Sequence, residues 1–162
     1  MQRPFPPSVQ RVVIKVGSAV LNDAKGLDTR VIDDLSAQIA DLKQRGLQIV
    51  LVSSGAVAAG RAKLSLSREP KFILEKQALA AIGQGRLLDA YEKAFESHAI
   101  TVAQILLTRH GLISRQRFLN AKNTLNTLLA WDILPIVNEN DTVATEELQF
   151  TDNDSLAVLI VN

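Results

Sequence analysis

Apolar residues recur along this chain in two alternating rhythms. Residues 11–16 read RVVIKV, a short β-branched run that stops at Gly17, the pattern of a strand covered on both faces. From Asp28 onward Val31, Ile32, Leu35, Ile39 and Leu42 fall at three- and four-residue spacing, with polar residues between them. That is the stripe of an amphipathic helix, and Gly46 stands where a left-handed terminus is expected. Residues 48–53 (QIVLVS) repeat the strand pattern and break at Ser54-Gly55, ahead of an Ala-rich helical segment. Strand, helix and strand in this order predict a βαβ unit with a right-handed crossover.

Residues 71–97 again carry apolar positions at helical spacing, interrupted by Gly83 and Gly85, so one long helix or two shorter ones fit. Residues 99–107 read as a third strand, 115–132 as a third helical region and 133–137 (ILPIV) as a fourth strand. Pro135 argues against a central place for that strand, because proline has no N–H to give the ladder. Residues 138–149 are polar and turn-rich, and 152–161 read as the start of a further helix capped by Asp152 or Asn153. Strands alternating with helices predict a three-layer αβα sandwich with a mostly parallel sheet. Residues 1–8 hold three of the five prolines and read as a flexible lead-in, leaving 9–162 as one domain. The most apolar run, Leu156 to Val161, meets the last residue without a Gly cap or a cationic turn. The expectation is therefore a fold that is incomplete at its C-terminal side.

Composition narrows the function more than the fold. The 162 residues are 47% hydrophobic and 22% charged, which excludes wholesale disorder. Eighteen Lys and Arg against 17 Asp and Glu leave a net charge of +1, too little for a chain that gains its affinity from a polyphosphate backbone, so no nucleic-acid partner is expected. With no cysteine, disulfides, thiolate metal sites and Cys nucleophiles are excluded together. No apolar run approaches the ~18 residues a membrane span needs, and residues 1–8 lack the apolar core of a signal peptide. A cytoplasmic protein without a membrane partner is the expectation.

In open parallel sheets ligands collect at the carboxyl ends of the strands. Four groups of residues stand at such ends: Lys15, Gly17 and Ser18; Ser53, Ser54 and Gly55; Asn138, Glu139, Asn140 and Asp141; and Asp152, Asn153 and Asp154. Glycines let backbone N–H groups approach an anion, and a helix starting after Gly55 would aim its positive end the same way. A lysine inside a covered strand needs a negative partner. An acidic side chain of the protein would serve; beside two Gly/Ser turns, a phosphate fits better. Other templates fail: there is no P-loop, no Gly-x-Gly-x-x-Gly at the first helix and no nucleophile elbow. Gly83-Gln84-Gly85 lies within a helical region, and His98 and His110 lack ligand spacing, so they read as surface or structural residues.

IKVGSAVL at 14–21, VSSGAVAAGR at 52–61, NENDTVAT at 138–145 and FTDNDSLA at 150–157 together resemble the amino acid kinase family. Within it, the NEND and DND pair resembles the members that act on glutamate. AAIGQGRLLDAYEKAF and QILLTRHGLISRQRFLNAKNTLNTLL extend the resemblance across almost all of the chain after Pro7. It implies transfer of the γ-phosphoryl group of ATP to the side-chain carboxylate of L-glutamate, with Mg²⁺ arriving on the ATP, as the first step of proline synthesis. By that analogy Lys15, Gly17 and Ser18 hold the ATP phosphates and line the transfer path. Asp154, with Lys15, is catalytic and orients the lysine. Ser54, Asp141 and Asn153 bind glutamate, Asp141 facing its α-ammonium. L-proline as an inhibitor and a homo-oligomeric assembly are implied as well. Thr151 precedes Asp152 where the family usually has glycine, which puts the geometry of that loop in question. The family's nucleotide-binding half, a second phosphate-holding lysine and a PUA domain would lie beyond Asn162, so little turnover is expected of this chain by itself. The alternatives are another amino acid kinase and a non-catalytic module that binds glutamate or proline.

Overall fold

The C-terminus of the helix after Asp28 closes as its sequence predicts. Gly46 takes φ +85°, its N–H bonds the carbonyl of Lys43, and the N–H of Leu47 bonds that of Leu42. These two bonds satisfy carbonyls the helix leaves open and turn the chain straight into the next strand. At the other end the Asp28 carboxylate accepts from the Arg30 N–H at 3.1 Å, the usual role of an N-cap aspartate.

The computed structural model describes residue 6 and residues 9–23, 26–108 and 113–143. In chain order the elements are β1 (Arg11–Val16), α1 (Ser18–Leu21), β2 (Asn22–Asp23), β3 (Gly26–Leu27), α2 (Thr29–Gln44) and β4 (Gln48–Ser53). They continue with α3 (Ala56–Lys63), α4 (Ile73–Glu96), β5 (Val102–Leu107), α5 (Arg115–Ala130) and β6 (Leu134–Glu139). The main sheet has the order β1-β4-β6-β5 and every neighbouring pair is parallel; β2 and β3 form a separate antiparallel pair. The expected segment 71–97 is one helix, α4, running through both glycines.

Alternate residues of the strands feed two cores, which makes the three layers. On one face Ile49 and Leu51 of β4 and Leu134 and Ile136 of β6 pack with Ile32 and Ile39 of α2 and Leu87, Tyr91 and Phe95 of α4. On the other, Val50, Val52 and Val137 meet Leu125 and Leu129 of α5. Burying each such side chain is worth about 1.5–3 kcal/mol. The two buried aromatic rings of these cores, Tyr91 and Phe95 with centroids 6.3 Å apart, both lie on the first face.

Two expectations are corrected. β6 lies between β4 and β5 with all six residues buried, although Pro135 argued for an edge. The Leu134 N–H bonds Thr101 on the β5 side, so the alternation of the ladder turns the Pro135 nitrogen toward β4. Pairing with β4 starts only at Ile136, opposite Leu51. The missing donor thus falls just before the ladder begins. β1, expected to be covered on both faces, pairs only with β4 among the described strands, and only Val16 is fully buried. Lys15 is exposed, so the argument from a buried lysine falls.

Helices α3 and α4 touch through glycine. A Cβ at Gly83 would stand 1.8 Å from the Ala56 carbonyl oxygen, and one at Gly60 would stand 2.0 Å from that of Leu79. Only hydrogen fits at these positions. The contact sets the first turn of α3 against the middle of α4.

Candidate active site

The parallel strands all end on one side, and β1 and β4 end in register. Val16 faces Ser53, and the Ser54 N–H bonds the Val16 carbonyl at 3.1 Å. β1 runs into Gly17, β4 into Ser54 and Gly55, and each is followed at once by a helix. Gly55 has φ +113°, which a side chain would resist, and a Cβ there would meet Asn22 Nδ2 at 3.0 Å. The turn therefore requires glycine for both its backbone and its space. Lys15 lies on the α5 side of the sheet, yet its ammonium reaches this end: a Cβ at Gly17 would stand 3.8 Å from Lys15 Nζ.

β6 brings in the third group. Val52 pairs with Val137, so Asn138 follows beside the end of β4, on the α4 face. Asn138 and Glu139 are buried, at 2% and 6% exposure. The Asn138 Oδ1 accepts from the Glu139 N–H at 2.8 Å, and its Nδ2 donates to Gln84 Oε1 of α4 at 2.7 Å. The chain then turns: the Asn140 N–H bonds the Leu107 carbonyl at the end of β5, and the Val143 N–H bonds the Asn140 carbonyl. Asp141 is half-buried in that turn, and loss of water pushes its carboxyl above the ordinary aspartate value. A carboxylate so placed gains from a bound cation.

Of the residues expected from sequence, Lys15, Gly17, Ser18 and Ser54 share one end of the β1–β4 pair, and Asp141 sits in the turn that leaves the neighbouring β6. Asn153, Asp154 and the rest of the DND stretch, with Thr151, lie outside the described residues, as do His110 and the helix expected at 152–161. His98 is exposed, in agreement with a surface role. Three residues here were not expected. Gln84 bonds Asn138; it lies in the stretch AAIGQGRLLDAYEKAF that carries the family resemblance, which gave it no role. Tyr91, two helical turns further along α4, places its hydroxyl 2.9 Å from Ser53 Oγ; burial pushes that phenol up to about 12. Asn22 donates to the Ser18 carbonyl at 2.7 Å, while its Oδ1 is buried with no hydrogen-bond partner among the described residues. Tyr91 lies in the same stretch as Gln84, again without a role, and no sequence pattern marked Asn22.

Among the described residues no group of three or more acidic or histidine side chains is placed to hold a metal ion. No described helix is long and apolar enough to cross a membrane.

Residues 10–162 match the model of the amino acid kinase family. The chain belongs to the amino acid kinase family. Among its curated relatives within that family, the glutamate 5-kinase of Oleidesulfovibrio alaskensis is 60% identical over 155 residues, which cover 96% of this chain and 41% of that protein. Those of Pelobacter propionicus and Citrifermentans bemidjiense are 52% and 53% identical over 163 residues, covering all of this chain and 44% of each relative. The chain thus spans about two-fifths of the length of the amino acid kinases it matches. The all-parallel sheet flanked by helices agrees with the fold expected of this family.

Proposed function

We propose that this chain is the glutamate-binding part of an enzyme that transfers the γ-phosphoryl group of ATP to the side-chain carboxylate of L-glutamate, yielding γ-glutamyl phosphate. The observation that carries the reading is the arrival of Gly17 and Ser18, Ser54 and Gly55, and the Asn138–Asp141 corner at the same ends of three adjoining parallel strands. That relatives at 52–60% identity are glutamate 5-kinases supports the choice of substrate.

A glutamate carboxylate, with a reference pKa of about 4.3, is already ionised at neutral pH, so attack needs no general base. What the site must supply is alignment of two anions and positive charge along the path of the phosphoryl group. Lys15 serves as that charge and, with Asp154, as the catalytic pair. Gly17 and Ser18 give the ATP phosphates a close backbone approach. Ser54, Asp141 and Asn153 take glutamate, and the desolvated Asp141 is matched to its ammonium group. Mg²⁺ would come with the nucleotide. Residues 9–162 act as one unit with 1–8 as a lead-in, in a cytoplasmic homo-oligomer in which L-proline competes for the glutamate site.

The test is ligand-dependent melting. A ligand that binds only the folded chain raises its melting temperature, by about 2.7 kcal/mol of added stability at a hundred times its dissociation constant. L-glutamate is expected to raise it, and L-proline to compete. Lys15→Ala is expected to remove the response to ATP while leaving unliganded melting within about 0.5 kcal/mol, since the side chain is exposed. A chain indifferent to both L-glutamate and ATP overturns the reading. Stabilisation by proline or glutamate with none by ATP, and no phosphate transfer in a direct assay, favours the non-catalytic binding module.

A further inference from the structure

The amide pair in front of the Asn138–Asp141 corner has a fixed polarity. A backbone N–H can only donate, so the bond from Glu139 N makes the facing atom of Asn138 its oxygen. Asn138 therefore turns its NH₂ toward α4, and Gln84 must answer with its carbonyl oxygen, as the 2.7 Å contact has it. One main-chain donor thus orients two side-chain amides in series. Gln84 is also held from behind. It follows Gly83, whose backbone lies against Ala56, the residue after the Ser54-Gly55 turn. Gln84 consequently stands where the turn leaving β4 and the corner leaving β6 approach the same helix.

We infer that Gln84 is a positioning residue for the amino-acid site: by holding the Asn138 amide it fixes the Asn138–Glu139 peptide, and through it the direction in which the corner presents Asp141. The inference rests on the glutamate-binding reading of that corner. Tyr91 lies seven residues later on the same face of α4 and holds Ser53 at the end of β4. One helix face therefore braces both strand ends. Without an acceptor at position 84, the Asn138 NH₂ loses the 2.7 Å bond that turns it toward α4. The corner is then free to settle elsewhere.

The experiment compares the 162-residue chain with Gln84→Met, which keeps length and helix preference and removes the acceptor. L-glutamate affinity is read by titration calorimetry and stability by thermal melting. The expected result is a loss of affinity of about tenfold in the folded variant, the value of one lost hydrogen bond. A variant that melts lower but binds L-glutamate as tightly as the parent overturns the inference, because Gln84 would then serve the fold alone. If the unsubstituted chain takes no L-glutamate, the kinase reading fails first and this one falls with it. Should Gln84→Met not fold, Gln84→Glu keeps an oxygen on Asn138. The Asn138 side-chain NH₂, followed by nitrogen-15 NMR, is expected to exchange slowly with solvent in the parent and in Gln84→Glu. Fast exchange in the parent overturns the proposal.

Discussion

The end of β6 and the end of β1 are built in opposite ways, although both lie at the same end of the parallel sheet. At β6 every residue is buried, and Asn138 is tied to the main chain on one side and to α4 on the other. At β1 the strand borders the described sheet, Lys15 is exposed, and Ser18 to Val20 are exposed after it. The first end is set by packing before any ligand arrives. The second offers backbone and an ammonium group at the surface. Under the proposed kinase reading, which must hold a small amino acid in one pose while drawing in a larger polyanion, the preorganised end would suit the acceptor and the accessible end the nucleotide.

Substitutions at α4, the brace of the preorganised end, test this contrast most severely. Gly83→Ala drives a methyl group into the Ala56 carbonyl, and overpacking of this kind is expected to cost about 3 kcal/mol in urea unfolding. Gly85→Ala, two residues on, meets nothing within 4 Å among the described residues and should stabilise by about 1 kcal/mol, as expected for alanine over glycine inside a helix. Equal effects at the two positions would deny the close approach of α3. Asn138→Ala should cost about 2 kcal/mol, because it removes both the bond from the Glu139 N–H and the bond to Gln84. Tyr91→Phe removes only the hydroxyl that meets Ser53 and should cost about 1 kcal/mol in the same measurement.

The smallest effect belongs to Asp141 and is read against pH. Burial raises its carboxyl above the unfolded value. Its contribution to stability is therefore full at pH below the ordinary aspartate range and is lost as pH rises through the raised value. Asp141→Asn should be more stable than the parent at neutral pH, with the gap closing on acidification. Melting curves at several pH values check this. A gap that widens toward acid would reverse the sign and remove the case for a desolvated carboxylate awaiting a cation.

Much of the fold could be read in advance because its cues are local. Gly46 ends α2, Asp28 starts it, and residues 11–16 and 48–53 are strands over the whole of the predicted ranges. The places of Ser54 and Asp141 at strand ends were legible, because there residue type and strand end coincide. It was misread where burial decided the matter: Lys15 sits in a strand whose pattern promised cover, and whether a strand is covered depends on its neighbours. Pro135 misled for a related reason. A missing N–H is harmful only on the side where a ladder exists, and that side is fixed by register.

The sequence by itself determined β1, α2, β4, α3, α4, β5, α5 and β6, their alternation, the parallel sheet and the family, but not α1 or the β2–β3 pair, because periodicity, caps and turn residues act over a few neighbours along the chain. The tertiary structure alone decided which strand lies in the middle, that Lys15 is exposed, and that α4 holds Asn138 through Gln84 and Ser53 through Tyr91. Those facts join residues 38 to 54 positions apart. No local rule reaches so far; only close packing brings such groups within hydrogen-bonding distance.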